Sequence, residues 1–206
     1  MAPLIRSMPG DTLKHLLHSR LAGYRPNELA LDYPEAGILV PITDNSGNPE
    51  MLFTLRSAHL KTHRGQVAYP GGRRDPEDEN LMVTALRETH EEIGLPPDQV
   101  QIVASLSQVA SHARILVTPY VGVVPEDHPL RPNPAEIESV FRVPIAWLLE
   151  DRRERTDALP FMGGIIHVPC YRWEKYQIWG LSAVVLVDFM NAVYDAGIDL
   201  KRPPSR

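Results

Sequence analysis

The most informative stretch of this 206-residue chain is Arg87-Glu88-Thr89-His90-Glu91-Glu92-Ile93-Gly94-Leu95. Apolar residues at helical spacing predict that it completes a helix from Leu81 to Ile93. Gly94 and the two prolines that follow shortly after would end this helix. The helix therefore carries an apolar face for a core and a second, strongly charged face.

Three carboxylates share the charged face of this predicted helix. Side chains advance by about 100° per residue, which places Glu88, Glu91 and Glu92 within one sector of about 100°. Like charges three or four positions apart destabilise a helix by ~0.2–0.5 kcal/mol per pair, and anions in its last turns oppose the helix dipole. A solvated acidic face is the simpler interpretation of most Glu-rich helices, but a locally costly arrangement indicates a function. A hard divalent cation would relieve the repulsion.

The helix and the loop before it resemble the Nudix box, Gly-x5-Glu-x7-Arg-Glu-U-x-Glu-Glu-x-Gly-U, where U is a bulky aliphatic residue. The match covers about residues 72–95 and is aligned on Glu79 and Arg87. Six residues instead of five separate Gly72 from Glu79, and Thr89 occupies the first aliphatic position. Because the additional residue would precede Glu79, we expect the loop to be rebuilt and the acidic face to stay in register. The resemblance implies that Arg87 pairs with Glu79, and that Glu79 and Gly94 are structural residues of the box.

The same resemblance implies an α/β fold, the Nudix α/β/α sandwich with a mixed β-sheet, and hydrolysis of a nucleoside diphosphate linked to another group. It implies that Glu88 and Glu92 are the principal ligands of Mg²⁺ or Mn²⁺, with the carbonyl of Gly72 completing the metal shell. Glu91 would bind a second metal or help to activate the attacking water. The implied catalytic residues are Glu91, Glu88 and Arg87.

A basic segment precedes the box. Residues 56–74 contain five Arg and Lys residues and no acid. Beside a metal-phosphate motif, phosphate recognition is a better interpretation of this segment than a solvated basic loop. The segment also resembles the additional motif of coenzyme A pyrophosphatases, Leu-Leu-Thr-x-Arg-Ser-x3-Arg-x3-Gly-x3-Phe-Pro-Gly-Gly. The matching residues are Leu52-Phe53-Thr54-Leu55-Arg56-Ser57, Lys61, Gly65 and Tyr69-Pro70-Gly71-Gly72.

This second resemblance implies cleavage of coenzyme A (CoA) or an acyl-CoA to 4′-phosphopantetheine and adenosine 3′,5′-bisphosphate. Arg56, Lys61 and Arg64 are the candidate residues for the substrate phosphates. Glu136 or Glu138 could add a carboxylate opposite the helix, although surface exposure is the simpler interpretation for either. Two alternative functions stay open: a Nudix pyrophosphatase for an ADP-sugar or a dinucleotide, and a non-catalytic ligand sensor with the same fold.

Composition limits the other function classes. The formal charge is −5, and 43% of the residues are hydrophobic, which is ordinary for a globular protein and argues against a nucleic-acid-coating surface. No apolar run is long enough to span a membrane. With Cys170 as the single cysteine, no intramolecular disulfide can form, and we expect a cytoplasmic protein. A homodimer stays open.

The remaining pattern predicts one domain over residues 1–206. Helices are expected at about 11–22 and 181–194, and a short one at 144–149. Strands are expected at 36–42 and 51–56, joined by a turn, and a closing hairpin is expected from 165–168 and 171–173.

Overall fold

The structure is a computed structural model that describes residues 10–45, 47–60 and 63–202, without the side chains of residues 10–12, 44 and 45. The helices are α1 (Gly10–Leu21), α2 (Leu81–Ile93), α3 (Ile145–Leu149) and α4 (Leu181–Tyr194), with a 3-10 turn at Pro97–Gln99. The strands are β1 (Glu35–Asn45), β2 (Asn48–Arg56), β3 (Val67–Ala68), β4 (Gly71–Arg73), β5 (Gln101–Ser105), β6 (Val109–Ala110), β7 (Leu116–Val123), β8 (Ile137–Pro144), β9 (Arg153–Phe161), β10 (Gly164–Trp173) and β11 (Tyr176–Ile178).

A mixed sheet of eight strands forms the centre of the fold. Its main path runs β3-β2-β1-β7-β5, with β4 paired to β1, β6 to β7 and β8 to β2. Strands β1 and β7 are parallel, and the other pairs of this sheet are antiparallel. Strands β9, β10 and β11 form a separate antiparallel sheet. The predicted mixed sheet is therefore confirmed.

Helices cover both faces of the large sheet. Alternate residues of β1 point to opposite faces: Ile38 and Val40 share a core with Leu17 of α1 and with residues of α4, whereas Leu39 packs with Ile93 at the end of α2. This arrangement is the α/β/α sandwich expected from the sequence.

Helix α2 has the predicted bounds because both of its ends are capped. The side chain of Asn80 accepts hydrogen bonds from the N–H groups of Met82 and Val83, which satisfies two donors that a helix start leaves free. Gly94 adopts a left-handed conformation, with φ 71°, and its N–H donates to the carbonyl of His90. Asn80 and Gly94 therefore fix where α2, the helix that carries the acidic face, begins and ends.

The terminal helices agree with the prediction, but the closing hairpin is wrong. Residues 165–168 and 171–173 belong to one strand, β10, whose partner over most of its length is β9, a strand that the sequence did not predict. Pro169 lies inside β10. It is accommodated because β11 pairs with residues 171–173 only, so β10 has a free edge at this position. In the part of the chain that is described, no helix is long and apolar enough to cross a membrane.

Replacement of Gly37 tests how α2 rests on the sheet. A Cβ at this position of β1 would lie 2.1 Å from the carbonyl oxygen of Leu81 and 3.1 Å from the amide nitrogen of Ala85. Since backbone atoms cannot rotate away, Gly37→Ala should lower the free energy of unfolding by about 1–3 kcal/mol or more, measured by urea denaturation. Gly23→Ala is the control, because a Cβ there meets nothing within 4 Å. Equal stability of the two variants would show that α2 does not rest on Gly37.

Candidate active site

Glu92 is the most deeply buried carboxylate of the acidic face. Its side chain is 2% exposed. One carboxylate oxygen, Oε2, accepts the N–H of Gly71 at 3.1 Å, and the other, Oε1, accepts from the guanidinium of Arg56 at 3.2 Å. Burial raises the pKa of Glu92 to about 7, although the Gly71 N–H and Arg56 oppose the increase. The structure therefore holds Glu92 between the glycine turn and the end of β2.

Glu88 lies directly against the backbone of Gly72. A Cβ at Gly72 would be 2.3 Å from the carboxyl carbon of Glu88, so no larger residue fits at that position without moving Glu88. Burial raises the pKa of Glu88, and Arg87 opposes the increase. The third carboxylate, Glu91, is 58% exposed, and its oxygens lie 3.4 Å from the guanidinium of Arg87. The structure thus places Glu88 beside the backbone of Gly72 and leaves Glu91 at the solvent edge.

Arg87 pairs with Asp78 instead of the predicted Glu79. Its Nε and one terminal nitrogen donate to the two oxygens of Asp78 at 3.0 and 2.8 Å, while the other terminal nitrogen donates to Glu88 at 3.0 Å. Asp78 is buried and also accepts from the hydroxyl of Thr84 at 2.9 Å. The hydrogen-bonded guanidinium of Arg87 holds the pKa of Asp78 well below its usual range. Arg87 therefore contacts Glu88 and Glu91 of the acidic face, and Asp78 anchors it in place of Glu79.

The prediction failed because the additional residue of the box was assumed to precede the acidic residue that pairs with Arg87, whereas it follows that residue. Asp78 follows Gly72 with five intervening residues, which is the spacing of the family pattern, and the extra residue falls between Asp78 and Arg87. Glu79 is exposed, and its backbone carbonyl accepts from Arg74 at 3.1 Å. The five-residue spacing was the signal in the sequence that could have identified Asp78.

Arg56 is the substrate-binding candidate that the structure brings to the acidic face. A register shift in the pairing of β2 with β8 falls between Leu55 and Arg56, and such bulges re-aim side chains. Lys61 lies outside the described residues. Arg64 is exposed in the loop that follows, and no contact among the described residues joins it to Glu88, Glu91 or Glu92.

A fourth carboxylate approaches from the loop before β8. The backbone carbonyl of Glu136 accepts the N–H of Ser57 at 2.7 Å, which ties this loop to the end of β2. Burial is the main cause of the raised pKa values of Glu88 and Glu92, and the negative charge of Glu136 adds to both increases. Of the two residues considered from the sequence, Glu136 is therefore the one near the site, and Glu138 is exposed.

The chemistry of this site fits a hard divalent cation, because it offers carboxylate and backbone carbonyl oxygens. The absence of a Cβ at Gly72, which lets Glu88 lie against the backbone, supports the same interpretation. In the part of the chain that is described, however, no three His, Cys, Asp or Glu side chains converge as a metal cluster. Protein donors contact the carboxylate oxygens instead: Arg56 and Gly71 donate to Glu92, and Arg87 donates to Glu88.

Comparison with known proteins identifies the family. The profile of the NUDIX domain matches residues 33–162. The chain belongs to the Nudix hydrolase family. It is 37% identical over 161 residues to the uncharacterized Nudix hydrolase NudL of Photorhabdus laumondii, covering 78% of this chain and 86% of that protein. It is also 37% identical over 177 residues to NudL of Escherichia coli O139:H28, covering 85% of this chain and 91% of that protein.

A solved structure agrees with the Nudix fold. The MutT/nudix family protein of Enterococcus faecalis superposes with a TM-score of 0.51 at 17% identity, over 88% of this chain and 69% of that one. As a Nudix hydrolase, the protein acts on pyrophosphate bonds of nucleotide derivatives, and members of the family generally use divalent cations.

Replacement of Asp78 tests the pairing of Arg87. Asp78→Asn should lower the free energy of unfolding at pH 7 by about 1–3 kcal/mol, because the buried partner of Arg87 loses its charge. Since the pKa of Asp78 is lowered in the folded protein, its contribution is present above the unfolded value, 3.8, and declines as the pH falls below it. The difference between wild type and variant, measured by urea denaturation, should therefore shrink towards about pH 2.

Glu79→Gln is the matched control for this experiment. Its side chain is exposed, and the change in stability should stay within about 0.5 kcal/mol. A larger loss in Glu79→Gln than in Asp78→Asn would restore the pairing expected from the sequence.

Replacement of Glu92 separates its charge from its packing. Because the pKa of Glu92 is raised to about 7 in the folded protein from 4.5, its ionisation opposes folding, and this cost is complete above the higher value. In the presence of a chelator at about pH 8, Glu92→Gln should be more stable than wild type by about 1–3 kcal/mol, and the difference should vanish towards about pH 4. The same variant should lose hydrolysis, measured as product release with Mg²⁺. Wild-type turnover would remove Glu92 from the metal site.

Proposed function

We propose that this Nudix hydrolase cleaves the diphosphate bond of CoA or an acyl-CoA, giving 4′-phosphopantetheine and adenosine 3′,5′-bisphosphate. The observation that supports the proposal most directly is the contact of Arg56 with Glu92. Arg56 belongs to the motif that resembles CoA pyrophosphatases, and Glu92 belongs to the Nudix box. Gly71, from the same motif, donates its N–H to Glu92. Both motifs therefore meet at one site, which is the placement that a substrate-selecting segment requires.

In this proposal, Glu88, Glu92 and the carbonyl of Gly72 hold Mg²⁺ or Mn²⁺. The bound cation would neutralise diphosphate oxygens and lower the pKa of a water molecule. Arg87, fixed by Asp78, keeps Glu88 oriented. Arg56, Lys61 and Arg64 bind substrate phosphates, and Arg56 can offer the forked contact that phosphate accepts.

Glu91 is proposed to act on the attacking water or to bind a second cation. It is the most exposed of the three box carboxylates, so a water molecule can reach it. In the hydrolysis, the water oxygen bonds to one phosphorus while the bond from that phosphorus to the bridging oxygen breaks. The water proton passes to a carboxylate, and the bridging oxygen leaves on the second phosphate. Positioning and charge stabilisation supply most of the rate enhancement in such reactions.

A substrate panel tests the proposed specificity. The purified protein is incubated with CoA, acetyl-CoA, NADH and ADP-ribose, with Mg²⁺ or with EDTA, and the products are identified by mass spectrometry. We expect Mg²⁺-dependent cleavage of CoA or acetyl-CoA to the two named products, because the residues of the CoA motif border the acidic site. Glu92→Gln, prepared in the same way, controls for a contaminating hydrolase.

The other outcomes distinguish the alternatives. A preference for ADP-ribose or NADH would overturn the CoA assignment and leave a pyrophosphatase for another nucleotide derivative. Binding without turnover of any compound would favour a ligand sensor.

A further inference from the structure

Arg56 and Arg87 hold acidic residues of the same site in different ways. Arg87 binds Asp78 through two nitrogens at 2.8 and 3.0 Å. Arg56 reaches Glu92 through one nitrogen only, at 3.2 Å, and its Nε is buried without a hydrogen-bond partner among the described residues. A guanidinium offers five donors in a fixed fork, and a buried donor without an acceptor costs about 1–3 kcal/mol. The contact of Arg56 is therefore incomplete.

The backbone of Arg56 makes two hydrogen bonds within the protein, whereas its side chain makes one, to Glu92. Its N–H donates to the carbonyl of Gln66, and its carbonyl accepts the N–H of Gly65, both at 3.0 Å. The side chain is 23% exposed, so an anion from solvent can reach it. A rotation about side-chain bonds can thus exchange the partner of the guanidinium without disturbing β2.

Glu92 needs a counter-ion when no metal is bound. It is 2% exposed, and an ionised carboxylate in such a position is costly unless it is paired. Glu88 and Glu136 add negative charge around it, and the charge of Arg87 is already neutralised in part by Asp78. Among the described residues, Arg56 is the cation in contact with Glu92, through the carboxylate oxygen Oε1.

We infer that Arg56 serves as the built-in counter-ion of Glu92 in the metal-free protein and exchanges this role for a substrate phosphate when a divalent cation binds. Without substrate, Arg56 competes with the divalent cation for Glu92. Once a substrate phosphate has bound the guanidinium, Glu92 is free to bind the divalent cation. Cation and substrate phosphate bind cooperatively as a result, and the coupling is reciprocal. The inference rests on the proposed metal-dependent function of this site, but not on the choice of CoA as the substrate.

Metal titration of Arg56 variants tests this exchange. Mn²⁺ binding is measured by calorimetry in a buffer free of phosphate. Arg56→Gln should bind Mn²⁺ roughly tenfold more tightly than wild type, because the competing charge is gone. Arg56→Lys keeps the charge and should stay close to wild type. Arg73→Gln is the matched control: it removes one charge from the same basic segment at an exposed side chain that makes no contact with Glu92 among the described residues, and its affinity for Mn²⁺ should change much less than that of Arg56→Gln.

Two further measurements separate exchange from a merely structural role. In nitrogen-15 spectra, the Nε–H signal of Arg56, assigned by its loss in Arg56→Gln, should shift when Mg²⁺ is added to wild type. Inorganic phosphate should increase the affinity of wild type for Mn²⁺ several-fold, and this increase should be smaller in Arg56→Gln. Thermal unfolding confirms that each variant is folded, and Arg56→Lys reports on the site if Arg56→Gln does not fold.

The failures are distinguishable. If wild type binds Mn²⁺ and Arg56→Gln binds it equally or more weakly, the exchange is overturned while the proposed function stands. If wild type does not bind Mn²⁺, the metal-dependent function and the exchange are both overturned. If CoA is not cleaved but Arg56→Gln binds Mn²⁺ more tightly, only the choice of substrate is overturned.

Discussion

The close approach of α2 to the strands beneath it is the constraint on which the site depends. At Gly37 a Cβ would lie 2.1 Å from the backbone of the first turn of the helix, and at Gly72 it would lie 2.3 Å from the carboxyl carbon of Glu88. Gly37 allows α2 to pack directly on β1, and Gly72 allows the carboxylate of Glu88 to lie against the backbone of β4. Asn80 and Gly94 determine where the helix begins and ends, and therefore which side chains it brings to the strands. Packing and chemistry thus impose the same requirement for small residues at these two positions.

Helix α2 ends in carboxylates, which oppose both each other and the helix dipole. The structure offsets this cost with donors from three directions. Arg87 of the same helix holds Glu88, the glycine turn donates an N–H to Glu92, and Arg56 arrives from β2. The formal charge of −5 does not reveal this arrangement, in which Arg56 of the basic segment contacts Glu92 of the acidic box.

The sequence was sufficient where the determinants are local. The bounds of α2 follow from a capping residue and a helix-ending glycine a few positions apart, and the sandwich follows from the Nudix box. It was insufficient where the outcome depends on orientation or distant pairing. Asp78 and Glu79 are neighbours with the same chemistry: spacing from Gly72 favours Asp78, spacing to Arg87 favours Glu79, and the turn that buries Asp78 decides between them. Strand β9 was missed, because residues 165–168 and 171–173 were expected to pair with each other, whereas both belong to β10, which pairs with β9.

Arg56 and Arg87 show that residue type alone does not reveal how completely the protein satisfies a cation. Both are arginines beside a Nudix-box carboxylate, and a motif can identify either. The two residues differ in how many of their guanidinium donors have a hydrogen-bond acceptor in the protein. Arg87 has a buried carboxylate as a forked partner, so removing it from that position would leave Asp78 buried and unpaired. Among the described residues, the Arg56 side chain has one hydrogen-bond partner and its Nε has none, so a ligand that offers two oxygens can improve on its present partner. Incomplete satisfaction of a charged group at the edge of a site is therefore a physical reason to assign it to the ligand.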